Sequence, residues 1–248
     1  MRRLSVIIPA YNEATFIAEV LTRVTSVDVS AEGFEKEVIV VDDGSTDGTA
    51  SIVRSFTEVK LISKSNGGKG SAVQAGIREA SGEYILIQDA DMEYYPEDYL
   101  SMLHALNEHP RKAAVYGSRP LRLLQERGFF TWLPGKHPAQ GVVSWFGNIV
   151  LGLETLVLFG RFITDNLTAY KLYPAEPLKG HSFITSGFEG DHEITCLLLR
   201  QRYDILEVPI RYAPRSVEEG KKIRGRDGLI AIWTFLRCRF SRGASWRK

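Results

Sequence analysis

With 248 residues the chain is long enough to bury a full core, as one large α/β domain or two small ones. Its 31 basic and 30 acidic side chains nearly cancel, which argues against a nucleic-acid surface spread over the molecule. The two cysteines, Cys196 and Cys238, have no metal-ligand spacing and suit a reducing compartment, and the N-terminus reads directly as a strand without a signal-peptide pattern.

In chain order the first half alternates strand and helix. Leu4 to Ile8 is an apolar strand, followed by the turn Pro9-Ala10-Tyr11-Asn12-Glu13. A helix follows from about Ala14 to Val24, with Phe16, Ile17, Val20, Leu21 and Val24 on one face. Glu37 to Val41 is a second strand, and the capping-rich stretch Asp42 to Thr49 opens a helix through about Phe56. Val59 to Ser63 is a third strand. Asn66-Gly67-Gly68-Lys69-Gly70 leads into a helix from Ser71 to about Ala80, and Tyr84 to Gln88 is the next strand. Pro96 starts a helix to about Asn107, and Ala113 to Tyr116 is a strand ending at Gly117-Ser118-Arg119. This rhythm predicts a mostly parallel sheet with helices on both faces.

Chemistry concentrates where the strands end. After Tyr84 to Gln88, Asp89 and Asp91 project to the same side if the extended geometry persists. Two carboxylates so placed repel unless a cation lies near them, and Mg²⁺ or Mn²⁺ with phosphate oxygens suits that ligand type. In an open α/β sheet this is also the end where ligands bind. A strand-to-turn junction whose Asp residues hydrogen-bond loop amides explains the same residues. Asp43 reads either as an acceptor for a nucleobase edge or as a helix cap. Asn66 to Gly70 reads as an anion cradle with a lysine or as a plain loop, being neither a Walker loop nor GxGxxG.

Val6 to Glu13, Val40 to Asp47, Gly68-Lys69-Gly70, Asp89-Ala90-Asp91 and Gly117-Ser118-Arg119 together resemble the family 2 inverting glycosyltransferases. Glu207 to Arg215, with Glu219-Gly220-Lys221-Lys222, is similar to the dolichyl- or polyprenyl-phosphate mannose synthase branch. The resemblance implies a GT-A-type fold, a Rossmann-like mostly parallel sheet flanked by helices, with peripheral amphipathic interface helices. It implies one domain over 1–248, with a nucleotide-sugar half at 1–119 and an acceptor and membrane half at 120–248. By the same resemblance Pro9, Tyr11, Glu13, Val41 and Asp43 hold the nucleoside. Asp89 and Asp91 bind Mg²⁺ or Mn²⁺, Ala90 lines the site, and Glu93, where relatives often have Gln, adds a metal or water contact. Arg119, Arg215 and Lys221 meet phosphates of donor or acceptor, while Asp165 and Glu193 match acidic positions of the acceptor half. Relatives tend to carry an Arg four residues before the position of Ser144; this chain has Gln140, which departs from that acceptor clamp.

Leu121 to Ile163 is rich in aromatics (Phe129, Phe130, Trp132, Trp145, Phe146) and ends in an apolar run interrupted by Glu154. The run reads as one or two amphipathic helices on the membrane interface or as a helix packed on the sheet. Leu229 to Phe240, followed by basic residues, invites the same two readings and suits an anionic cytoplasmic leaflet. The expected activity is transfer of a sugar, mannose or glucose, from a GDP- or UDP-linked donor to a polyprenyl or dolichyl phosphate. It would take place on the cytoplasmic face of a membrane, with no transmembrane helix of its own and with a membrane-anchoring subunit as a further partner. An ionised acceptor phosphate needs no strong base; a hydroxyl acceptor would need one, from Asp191 or Glu193. Two other functions fit the same residues: a soluble family 2 transferase acting on hydroxyls, and a non-catalytic nucleotide-sugar-binding subunit.

Overall fold

The computed structural model describes residues 1–109, 111–127, 138–214 and 225–241, apart from the side chains at 127, 138–145 and 225–227. Arg215 and Lys221, the side chains of Gln140, Ser144 and Trp145, and Phe129, Phe130 and Trp132 lie outside that set.

Among the described residues, seven strands form one sheet in the order β3-β2-β1-β4-β6-β5-β7. They are β1 (Arg2–Ala10), β2 (Phe34–Asp42), β3 (Val59–Ser63), β4 (Tyr84–Ile87), β5 (Ala113–Ser118), β6 (Lys171–Pro174) and β7 (Asp204–Pro209). β1 runs parallel to both β2 and β4, with Pro9 beside Val41 and Ile7 beside Ile87. The order therefore reverses direction at β1, where connections leave to opposite sides and open a crevice at the carboxyl ends. β6 was not anticipated from the sequence. It runs antiparallel to β4 on one side and β5 on the other.

Around the sheet lie α1 (Ile17–Ser26), α2 (Thr49–Arg54), α3 (Lys69–Glu79), α4 (Tyr99–Glu108), α5 (Arg119–Arg127), α6 (Pro138–Phe159), α7 (Ala175–Lys179), α8 (Gly190–Arg200) and α9 (Gly225–Phe240). One core layer packs α1 and α4 on the sheet through Val20, Leu21, Met102 and Leu103; the other packs α3 and α8 through Ala72, Val73, Ile194 and Leu198. Two helix starts differ from the sequence reading. α1 begins only at Ile17, because the backbone N–H groups of Glu13 and Ala14 donate to Thr49 and Asp47. α3 begins two residues early, which puts Lys69 in its first turn.

α6 and α9 each have a packed face and an exposed apolar face. Their inner faces meet α8 in a small core of Leu151, Cys196, Leu197, Ala231, Phe235 and Cys238. Their outer faces expose Phe146, Leu153, Leu156 and Val157, and Leu229, Ile230, Trp233 and Phe240. Among the described residues, no helix is long and apolar enough to cross a membrane.

Candidate functional site

The first wall of the crevice is built by two turns laced together. Asn12, held at φ 55°, presents its side-chain oxygen to the Thr46 N–H (2.8 Å) and its own N–H to Ser45 Oγ (3.0 Å). This leaves Tyr11 exposed and Pro9 half-buried at the end of β1. Val41, expected to hold the nucleoside, sits instead in the core layer beneath α3, so its side chain shapes the floor and does not reach out.

Asp43 reaches across to the glycine-rich turn. Its carboxylate accepts from Gly67 N–H (3.0 Å), Gly68 N–H (2.8 Å) and Lys64 Nζ (2.5 Å). In this structure the group expected to meet a base edge is thus the clamp of the loop before α3. The turn needs its glycines. Gly68 has φ 89°, and a side chain on Gly70 would collide with the backbone oxygens of Ser186 and Gly187. Ser71 N–H donates to Ser186 O, which brings the segment before α8 against the head of α3.

At the end of β4, Tyr99 Oη donates to Gln88 Oε1 (2.8 Å) and Gln88 Nε2 to the Asp89 carbonyl (2.8 Å), fixing the backbone that carries the acids. Lys69 Nζ lies 2.5 Å from Asp89 Oδ1 and 5.5 Å from the centre of the Phe188 ring. The sequence offered no link between Lys69 and Asp89, since α3 and β4 separate them; the only signal was a lysine in a glycine-rich strand-end turn. Asp91 Oδ1 accepts from the Glu93 N–H across Met92, which adopts φ 62°, a left-handed conformation costly for a non-glycine residue. Glu93, expected as a metal or water contact, accepts from Tyr212 Oη (2.8 Å) through Oε2. Among the described residues no three His, Cys, Asp or Glu are gathered to hold an ion alone. The two carboxylates Asp89 and Asp91 still fit Mg²⁺ or Mn²⁺, which commonly takes one or two protein carboxylates and completes its shell with phosphate oxygens and water.

The far wall begins at β5. Arg119 grips Asp165 with Nε (2.7 Å) and one terminal nitrogen (2.8 Å), and its guanidinium lies 4.8 Å from the Tyr212 ring centre. Asp165 is fully buried and also accepts from Asn148 Nδ2 on α6 (2.9 Å). It therefore positions Arg119 and has no surface left for an acceptor. Tyr212 pairs with Tyr94 in an isolated antiparallel bridge, and the Ala213 N–H donates to Glu93 O (2.9 Å). These contacts tether Tyr212 and Ala213 beside the acidic turn.

The two acids left open as bases part company. Glu193 is buried and accepts from His181 Nε2 (2.8 Å), Ile184 N–H (2.9 Å), Thr185 N–H (3.0 Å) and Thr185 Oγ1 (2.6 Å). Burial opposes its ionisation, but the hydrogen bonds from His181, Thr185 and Ile184 outweigh it and hold the pKa below the usual range. It staples residues 181–185 to α8 and is withdrawn from any acceptor role. Asp191, by contrast, keeps 28% of its side chain exposed. It accepts from the fully buried Lys171 and from Tyr173 Oη; burial pushes its pKa up, yet Lys171 above all pulls it below normal.

An open, mostly parallel sheet with acidic and basic groups gathered at the carboxyl ends of β1, β2 and β4 defines an α/β protein whose ligand crevice lies at those ends. The chain belongs to Glycosyl transferase family 2, whose profile matches residues 5–152. It is 31% identical over 227 residues to the dolichyl-phosphate beta-glucosyltransferase of Saccharomyces cerevisiae, covering 84% of this chain and 66% of that one. It is 30% identical over 242 residues to the dolichol-phosphate mannosyltransferase of Pyrococcus furiosus, covering 95% and 62%. The chain thus spans just under two thirds of the length of these relatives. Among solved structures it resembles glucosyl-3-phosphoglycerate synthase of Mycobacterium tuberculosis, crystallised with Mn²⁺, uridine diphosphate and phosphoglyceric acid (TM-score 0.67, 18% identity, 98% of this chain and 80% of that one). Mannosyl-3-phosphoglycerate synthase of Rubrobacter xylanophilus gives a TM-score of 0.68 at 18% identity, over 96% and 72%. The fold is of the GT-A type.

Proposed function

We propose that this chain moves a hexose from a GDP- or UDP-linked donor to a polyprenyl or dolichyl phosphate at a membrane surface, inverting the anomeric carbon. The observation that carries the reading is the convergence of Asp89, Asp91 and Lys69 on the crevice between β1 and β4. The two relatives named for dolichyl-phosphate sugar transfer support the acceptor class. Asp89 and Asp91 would hold Mg²⁺ or Mn²⁺, which when bound supplies positive charge to the donor's diphosphate. Pro9, Tyr11, Glu13 and Asp43 would bound the nucleoside. Arg119, fixed in place by Asp165, would orient the acceptor phosphate, with Arg215 and Lys221 as further phosphate-binding groups. An acceptor oxygen attacks the anomeric carbon, and the nucleoside diphosphate leaves with the electron pair of the broken bond. Because the second pKa of a phosphate monoester is about 6, the attacking oxygen is already ionised and positioning carries the catalysis.

A hydroxyl acceptor is the second reading, favoured by the partly exposed side chain of Asp191. Its lowered pKa makes it a weak base, so the phosphate acceptor is preferred. The deciding experiment is a transfer assay with GDP- and UDP-sugars, with and without polyprenyl phosphate, for wild type and Asp91→Ala. Turnover should need both a divalent cation and the lipid phosphate, and Asp91→Ala should abolish it. Full activity in excess EDTA would remove the metal from the scheme, transfer to free sugars alone would favour the hydroxyl acceptor, and no turnover with any donor would leave a binding subunit.

A further inference from the structure

Lys69 stands where a divalent cation would have to go. Its ammonium is 2.5 Å from Asp89 Oδ1, so an ion and Lys69 compete for one carboxylate. We propose that Lys69 is a resident counter-ion of the acidic strand end, which holds Asp89 while no donor is bound and passes to the donor's diphosphate when a divalent cation takes Asp89. The proposal rests on the metal-dependent reading above and adds the residue that couples metal to nucleotide.

Three features of the site support the exchange. The backbone beneath Lys69 is fixed, since Asp43 clamps Gly67 and Gly68 and Ser71 is tied to Ser186. The movement therefore falls on the side chain, whose four rotatable bonds allow it without any loop rearrangement. The surroundings also offer the ammonium somewhere to go, with the Phe188 ring 5.5 Å from Nζ and the partly exposed Asp191 acting on it from the α8 side. Charge then dictates the order. Asp89 and Asp91 with Lys69 sum to one negative charge, and adding a dication without a nucleotide sets it directly against the ammonium. A diphosphate arriving with the ion gives Lys69 new oxygen partners as it leaves Asp89. Metal and nucleotide should consequently bind with positive coupling, and by linkage each should strengthen the other equally. During transfer the same ammonium would neutralise charge developing on the departing diphosphate, acting as a point charge.

The test measures Mn²⁺ binding to the whole protein from the loss of the free-ion electron paramagnetic resonance signal, alone and with uridine or guanosine diphosphate. Wild type should bind Mn²⁺ weakly alone and at least about tenfold more tightly with the matching nucleotide, within the usual range of allosteric coupling. Lys69→Met should bind Mn²⁺ alone more tightly than wild type while losing most of the coupling, and Lys69→Arg should restore part of it. A residue needed only for packing would weaken both affinities together. Unchanged Mn²⁺ affinity and unchanged coupling in Lys69→Met would overturn the proposal while leaving the metal site intact. Failure of wild type and variant alike to bind Mn²⁺ with either nucleotide would instead overturn the metal reading, and the role of Lys69 with it.

Discussion

Replacing Glu154 by glutamine should stabilise the protein, and only above the acid range. Glu154 lies on α6 facing the small core shared with α8 and α9, where its charge acts on Cys196. Both carboxylate oxygens are buried, with no hydrogen-bond partner among the described residues. Burial raises its pKa from the ordinary 4.5 to about 7. At about 1.36 kcal/mol per tenfold change in proton affinity, full burial would cost the ionised form about 3 kcal/mol. The residue keeps part of its surface, and solvent screening reduces this to about 1–2 kcal/mol. The folded state holds the proton to higher pH than the unfolded chain does. Stability is therefore undiminished below pH 4.5, falls as pH rises towards 7, and stays low above it. Urea unfolding of wild type and Glu154→Gln from pH 4.5 to 8.5 should give curves that nearly meet at the acid end and separate by the full amount above pH 7. A separation independent of pH would refute the reasoning, since loss of shape or helix propensity has no such profile.

Two further outcomes can be checked directly. Glu193→Gln should lower unfolding free energy by about 3 kcal/mol, as for one partner removed from a buried pair, and the loss should shrink in acid because the carboxylate's lowered pKa stabilises the fold only while ionised. The protein should co-sediment with anionic vesicles through Phe146, Val157, Leu229, Trp233 and Phe240 beside Arg237 and Arg239. Salt should release it as the Debye length shrinks from about 10 Å at 0.1 M to about 3 Å at 1 M, and Trp233→Ser with Val157→Ser should weaken binding at every salt; protein left in the supernatant at low salt would reassign that face.

The first wall of the crevice was legible because parallel buried strands write themselves as unbroken apolar runs closed by polar turns. Leu4 to Ile8, Glu37 to Val41 and Tyr84 to Gln88 needed only local chemistry to be read. β6 was hidden for the opposite reason. A four-residue strand beginning with lysine looks like a loop until Asp191, the Asn166 carbonyl and the Tyr116 ring are seen to surround Lys171. Glu193 misled in the same way, since an acidic residue in an acidic stretch carries no mark of the His181 and Thr185 groups that enclose it. Asp43 kept its capping character but directed it at a loop over twenty residues away, a partner that only the sheet brings near.

The placement of β6 bears on how the chain comes to be folded at all. β4 has β1 on one side and β6 on the other, while β5, among the described residues, pairs with β6 and β7. As the polypeptide emerges from the ribosome, the strand that leads to Asp89 and Asp91 keeps one edge bare until Lys171–Pro174 has been made. Bare edges invite pairing with other chains, so this nascent intermediate is where aggregation should compete with folding. A truncation near residue 119 would release a sheet with an open flank and an orphaned β5, and a chaperone that covers strand edges would matter most in that interval.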